Sequence, residues 1–153
     1  MKKLTTFVLS GILLFGGVAC SNDAKTSADA PNTTQDAVQT PKADDAKTTQ
    51  KDAQSETRRK QLNADIKARE ERNNTLNAGS AENVSDKDVA SKVRSKLEAN
   101  IPQGQLTVES EKGVVTVAGT VPKKEQLAKI KTEAMKIKGV KSVNVTAIVA
   151  APK

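Results

Sequence analysis

Two pairs of carboxylates stand at spacings suited to acid–base work. Asp86 and Asp88 flank Lys87, and Glu109 and Glu111 fall on one side of any extended strand because side chains alternate across it. Each pair also has a plainer reading. Acids in the first turn of a helix complement its dipole, and strand glutamates two apart form a solvated face. Nothing nearby turns either pair into a site. The chain of 153 residues has no His, Trp or Tyr and one Cys, at position 20. A lone Cys closes no intrachain disulfide, and without His it starts none of the usual zinc sets. Ser-x-x-Lys, Cys-x-x-Cys and a phosphate-cradling glycine loop are all missing. Catalysis, cofactor use and a small-molecule substrate are therefore not expected. What remains is electrostatic. Lys124, Lys131 and Lys138 recur every seven residues, within about 40° of one another on a helix. The plainer reading is a solvated basic face. The sharper one is contact with anionic headgroups or an acidic envelope polymer, to which each lysine near the surface adds about 1 kcal/mol.

The elements that would position these residues begin near Val84. Ser85 and Asp88 have capping-box spacing, and Val89, Val93 and Leu97 repeat every four residues, predicting a helix that ends by Pro102. Leu106, Val108 and Ser110 alternate with polar neighbours. Glu111, Lys112 and Gly113 then turn into the β-branched run from Val114 to Val117, which reads as a hairpin stopping at Pro122. From Lys123 the period lengthens. Leu127, Ile130, Ala134 and Ile137 share one face, and Gly139 stands where a helix C-cap takes a left-handed residue. Val143, Val145, Ala147 and Val149 alternate as a third strand. The order predicts an α+β, two-layer αββαβ domain over 84–150, with a three-stranded mixed sheet and two helices on one face. A right-handed crossover makes the third strand parallel to the second, and the pattern does not decide which strand it lies beside.

The stretch upstream is different. Residues 21–57 hold one large aliphatic residue, Val38, and have 4 basic against 7 acidic residues, so they read as a disordered low-complexity tether. A coil of that length would span about 30 to 35 Å, and full extension about 120 Å. Residues 58–76 are rich in helix formers, with only Leu62 and Ile66 as a thin apolar stripe. They predict a solvated charged helix, with docking on a partner or on lipid as the alternative. Residues 77–83 read as a linker. The formal charge of +7 belongs to the distal parts, since Asn77 to Lys153 holds 13 basic and 8 acidic residues.

At the N-terminus, Lys2 and Lys3 precede an apolar run from Leu4 to Phe15, and small residues lead to Cys20. This is the build of a signal peptide over residues 1–19, with an apolar stretch shorter than the roughly 20 residues a spanning helix needs. The run resembles the lipobox of bacterial lipoproteins, which implies lipidation of Cys20. The alternative is ordinary cleavage that leaves a free thiol. Both Phe residues lie in the signal, so the mature chain has no aromatic side chain for stacking bases, and nucleic acid is not expected as a partner.

The string from Gly113 to Val121, followed by a Lys- and Glu-rich helix and then Gly139-Val140-Lys141-Ser142-Val143-Asn144, resembles the BON domain, named for bacterial osmotically inducible periplasmic and nodulation proteins. The resemblance covers about Ser85 to Val149. It implies an α/β sandwich, an envelope location, no known catalytic residues, and a role in binding phospholipid or membrane surfaces. Gly113, Gly119 and Gly139 read as structural: a tight turn, a close approach and a helix end. The expectation is a lipid-anchored envelope protein facing the periplasm, held to the membrane through Cys20, whose domain binds anionic phospholipid. The alternative is an adaptor for other envelope proteins, with a sheet edge accepting a partner strand.

Overall fold

The computed structural model describes residues 24–44, 47–48, 51 and 55–150. The signal peptide and Cys20 lie outside the described residues. The elements are β1 (Ala24–Lys25), α1 (Glu56–Asn77), α2 (Asp86–Asn100), β2 (Gln105–Glu111), β3 (Val114–Val121), α3 (Lys124–Ala134), β4 (Ser142–Val145) and β5 (Ile148–Val149).

The fold is α+β, with a mixed sheet in the order β1-β2-β3-β4 and β5 continuing beside β3. β2 and β3 form the expected antiparallel hairpin, Leu106 facing Gly119 and Val108 facing Val117. The crossover through α3 brings β4 and β5 parallel to β3, which settles the neighbour of the last strand. Alternation sends Leu106, Val108, Val115, Val117 and Val121 toward the helices, where they meet Val89, Val93, Leu97, Ile130 and Ala134 in one aliphatic core.

The sheet has five strands rather than three, for two reasons. The predicted last strand is interrupted at Thr146 and Ala147, opposite Ala118 and Gly119. The first strand comes from the segment read as a tether. Ala24 and Lys25 pair with Val108 and Thr107, and the Thr26 hydroxyl donates to Gly104 O at 2.9 Å while accepting from Leu106 N at 2.8 Å. The chain then crosses the far face of the sheet. The Thr107 hydroxyl donates to Pro31 O, and Thr34 donates to the Glu109 carboxylate from its N–H at 3.1 Å and from its hydroxyl. Gln105, Thr107 and Thr120 on that face are almost fully buried. Polar side chains and backbone hold this strap down, so no hydrophobic period announces it.

The charged helix spans Glu56–Asn77 and is not free-standing. It packs antiparallel on α2, burying only Leu62 and Asn73. Alternating charges join the pair in a continuous ladder: Arg58 to Glu98 at 2.7 Å, Glu98 to Arg94 at 2.8 Å, Arg94 to Asp65 at 3.8 Å, Asp65 to Arg69 at 3.0 Å, and Arg69 to Asp88 at 2.7 Å.

α3 is shorter than its periodicity predicts. It ends at Ala134, and Lys136 and Ile137 continue as tighter turns bonded to Glu133 O and Ala134 O. Ile137 still reaches the core, which is why the apolar period runs past the helix. Gly139 has the left-handed φ expected of it, +99°, but five residues beyond the helix end, where it packs on Val84 and Val89.

Candidate functional site

The carboxylate pairs are engaged in structure. Asp86 opens α2 and accepts from the hairpin turn: Lys112 N at 2.9 Å, Gly113 N at 3.2 Å and the Ser110 hydroxyl at 3.0 Å. Burial works to raise its carboxyl, but those donors outweigh it and hold the group below the usual carboxylate range. Asp88 is lowered in the same way, burial being offset by the Ser85 hydroxyl and Arg69. Glu109 is tied to Thr34, and Glu111 is exposed beside Lys112. The Asp pair holds the hairpin and α1, and the Glu pair does not converge on a shared space. Sequence reasoning assigned Asp86 to the helix dipole alone; its grip on the turn depends on a loop 26 residues away and leaves no local signal.

A polar cleft of about 720 Å³ lies between the strap and α1, with Arg58 and Glu98 in its wall. Those two charges meet each other at 2.7 Å, and Asp29 is the other ionisable group in the lining. Among the described residues no cluster of His, Cys, Asp and Glu could hold a metal, and no helix is long and apolar enough to cross a membrane.

The lysines are placed on and beyond α3. Lys124 and Lys131 are exposed on the helix. Lys138 is exposed too, but lies past the helix end, its Nζ reaching the α1–α2 loop, where a Cβ on Gly79 would come within 3.5 Å of it. The stripe is thus two helical lysines and one turn lysine. Beside Lys131 runs a feature that the lysine spacing did not reveal. Leu127, Ala128, Lys131, Thr132 and Met135 of the α3 region face Val145 and Ala147 across an apolar groove of about 550 Å³. Met135, Ile148 and Val149 stay about half exposed near it. Leu127, expected on the core face, does pack against the core, but it is only half-buried and also lines the groove.

The remaining sequence-predicted residues are structural. Gly113 has φ +84°, and a Cβ there would stand 2.8 Å from Gly139 O. Gly119 has φ +121°, and its Cβ would overlap Gln105 O at 2.0 Å. The close approach expected at Gly119 is therefore that of the partner strand's own backbone.

A two-layer αββαβ unit with an aliphatic core thus carries an apolar groove, edged by Lys131, along one helix. Residues 85–152 match the family model of the BON domain, and this part of the chain is a BON domain. No curated protein and no solved structure matches the chain.

Proposed function

We propose that this protein is a noncatalytic lipoprotein of a bacterial envelope, anchored through Cys20 and facing the periplasm, whose BON domain binds anionic phospholipid surfaces in support of envelope integrity or stress tolerance. The observation that carries the reading is the α3 groove: the exposed Met135 and the partly buried Leu127 and Val145 line it beside the Lys131 ammonium. An apolar strip that takes up acyl-chain surface, rimmed by cations that meet headgroup phosphates, is the chemistry of an interfacial contact. The domain type supports it, since BON domains occur in envelope proteins and are of a lipid- and membrane-binding kind.

Fractionation tests the anchor: Cys20→Ser should move the protein from the membrane to the soluble fraction, and unchanged membrane retention would reject anchoring. Sedimentation of that soluble chain with anionic vesicles, and not with neutral ones, tests the lipid contact.

A second reading, a protein adaptor, draws on the sheet edge. β4 has no strand on its outer side among the described residues, and Ile148 and Val149 beside it are exposed. Such an edge accepts a partner strand. Recovery of one recurrent crosslinked protein from cells, without vesicle binding, would favour it.

A further inference from the structure

The strap changes how far the domain stands from its anchor. A tether over residues 21–57 would allow about 120 Å of reach. The fold, however, captures the chain at Ala24, with Thr26 hydrogen-bonded to both Gly104 and Leu106, Ala30 buried, and Thr34 bonded to Glu109. Only Ser21, Asn22 and Asp23 separate Cys20 from that strand, and four Cα steps span at most about 14 Å. β1 is antiparallel to β2, so the chain upstream of Ala24 leaves in the direction of Glu111, toward the β2–β3 turn.

That end of the domain is basic. Lys112 lies in the turn itself. Lys141 packs on Gly113 and donates from its backbone N–H to Gly113 O at 2.8 Å. The carbonyl of Gly139 approaches Gly113 as well, which brings Lys138 to the same end. Asp86 binds the turn, so Lys87 stands beside it. All four lysines are exposed, and among the described residues Glu82 and Glu111 are exposed acids near them, with Asp86 engaged by the turn. Lys123 and Lys124 lie at the opposite end of β3, about 20 Å away along the strand.

Resting on the lipidation of Cys20 proposed above, we propose that β1 is a short leash that sets the domain upright, with the β2–β3 turn and Lys87, Lys112, Lys138 and Lys141 held against anionic headgroups. The α3 face then meets the membrane from its C-terminal end, through Lys138 and Met135, and Lys124 stands farther from the lipid than Lys131 or Lys138.

The test uses the lipidated full chain, reconstituted in phosphatidylglycerol-containing vesicles that carry a headgroup spin label. Lipid occupies the Cys20 sulfur, so a single fluorophore reports from Lys112→Cys or from Lys123→Cys. The leash predicts at least about threefold stronger quenching at 112 than at 123. Thr26→Val, which loses both hydroxyl hydrogen bonds, and a twelve-residue Gly-Ser insertion after Asn22 should each bring the two positions toward equality without reducing membrane retention. Equal quenching in the parent chain, or stronger quenching at 123, overturns the leash and leaves the anchored-lipoprotein reading standing. Loss of the difference between Cys20→Ser and the parent in fractionation overturns the anchor, and the leash with it.

Discussion

Arg69 on α1 meets Asp88 on α2 at 2.7 Å, and the same guanidinium reaches Asp65 on its own helix at 3.0 Å. One arginine thereby joins an intrahelical pair to an interhelical one, next to the end of a ladder that links α2 to α1, which buries only Leu62 and Asn73. A pair this sheltered has a coupling energy of about 1 kcal/mol. A double-mutant cycle of Arg69→Ala and Asp88→Ala in urea unfolding should return it. Salt should weaken α1 docking more than it weakens the core, read as faster amide exchange in 56–77 than in 105–121.

Gly119 has no room for a side chain. Gly119→Ala places a Cβ on the Gln105 carbonyl and forces a left-handed φ, so the hairpin must shift. The expected loss is about 3 kcal/mol or failure to fold, visible in the denaturation midpoint. A substitution with no effect would mean that β2 and β3 do not pair in this register.

Thr120 lies opposite Gln105 across the same two strands, and its hydroxyl is buried with no hydrogen-bond partner among the described residues, as is the Gln105 Nε2. Thr120→Val keeps the shape and removes the unsatisfied group. It should raise stability by about 1 kcal/mol, measured as a higher urea midpoint at unchanged slope.

Stability should fall at low pH and rise in the alkaline range. Asp86 and Asp88 ionise below their ordinary range in the folded chain, so their contribution is complete above about pH 4 and is lost as pH falls through the lower folded values. Lys92 is the opposite case. Its side chain is buried, donating to Lys138 O at 3.1 Å, and burial pushes the ammonium down despite the pull of Glu70 and Asp88. The unfolded chain then holds the extra proton, so stability rises with pH between the folded value and about 10.4. Urea midpoints across that window should climb, and Lys92→Met should flatten the climb.

The parts legible in the sequence are those with a repeating apolar signal. Val89, Val93 and Leu97 mark α2, Ile130 and Ala134 mark α3, and Gly113 between alternating runs marks the hairpin, because burial on one face imposes a period. The strap, the α1 docking and the Asp86 clamp escaped for a shared reason. Thr26, Arg69 and Asp86 each bond to groups 19 to 80 residues away, and a polar contact of that kind imposes no period on its neighbours. The groove was half visible. Lysine spacing pointed to α3, but Val145 and Ala147 come from β4 and the break that follows it, and no period links them to Leu127.

The proposed function turns on contact between the BON domain and anionic lipid through the α3 groove and its lysines. The most direct measurement is sedimentation of the soluble Cys20→Ser chain with phosphatidylglycerol vesicles and with neutral phosphatidylcholine vesicles at low and at physiological salt. The account predicts binding to the anionic vesicles alone. That binding should weaken as salt rises, fall at least about tenfold when Lys124, Lys131 and Lys138 are changed together to Glu, and fall also in Met135→Ser. Equal recovery with both kinds of vesicle, or charge reversal without effect, would contradict it.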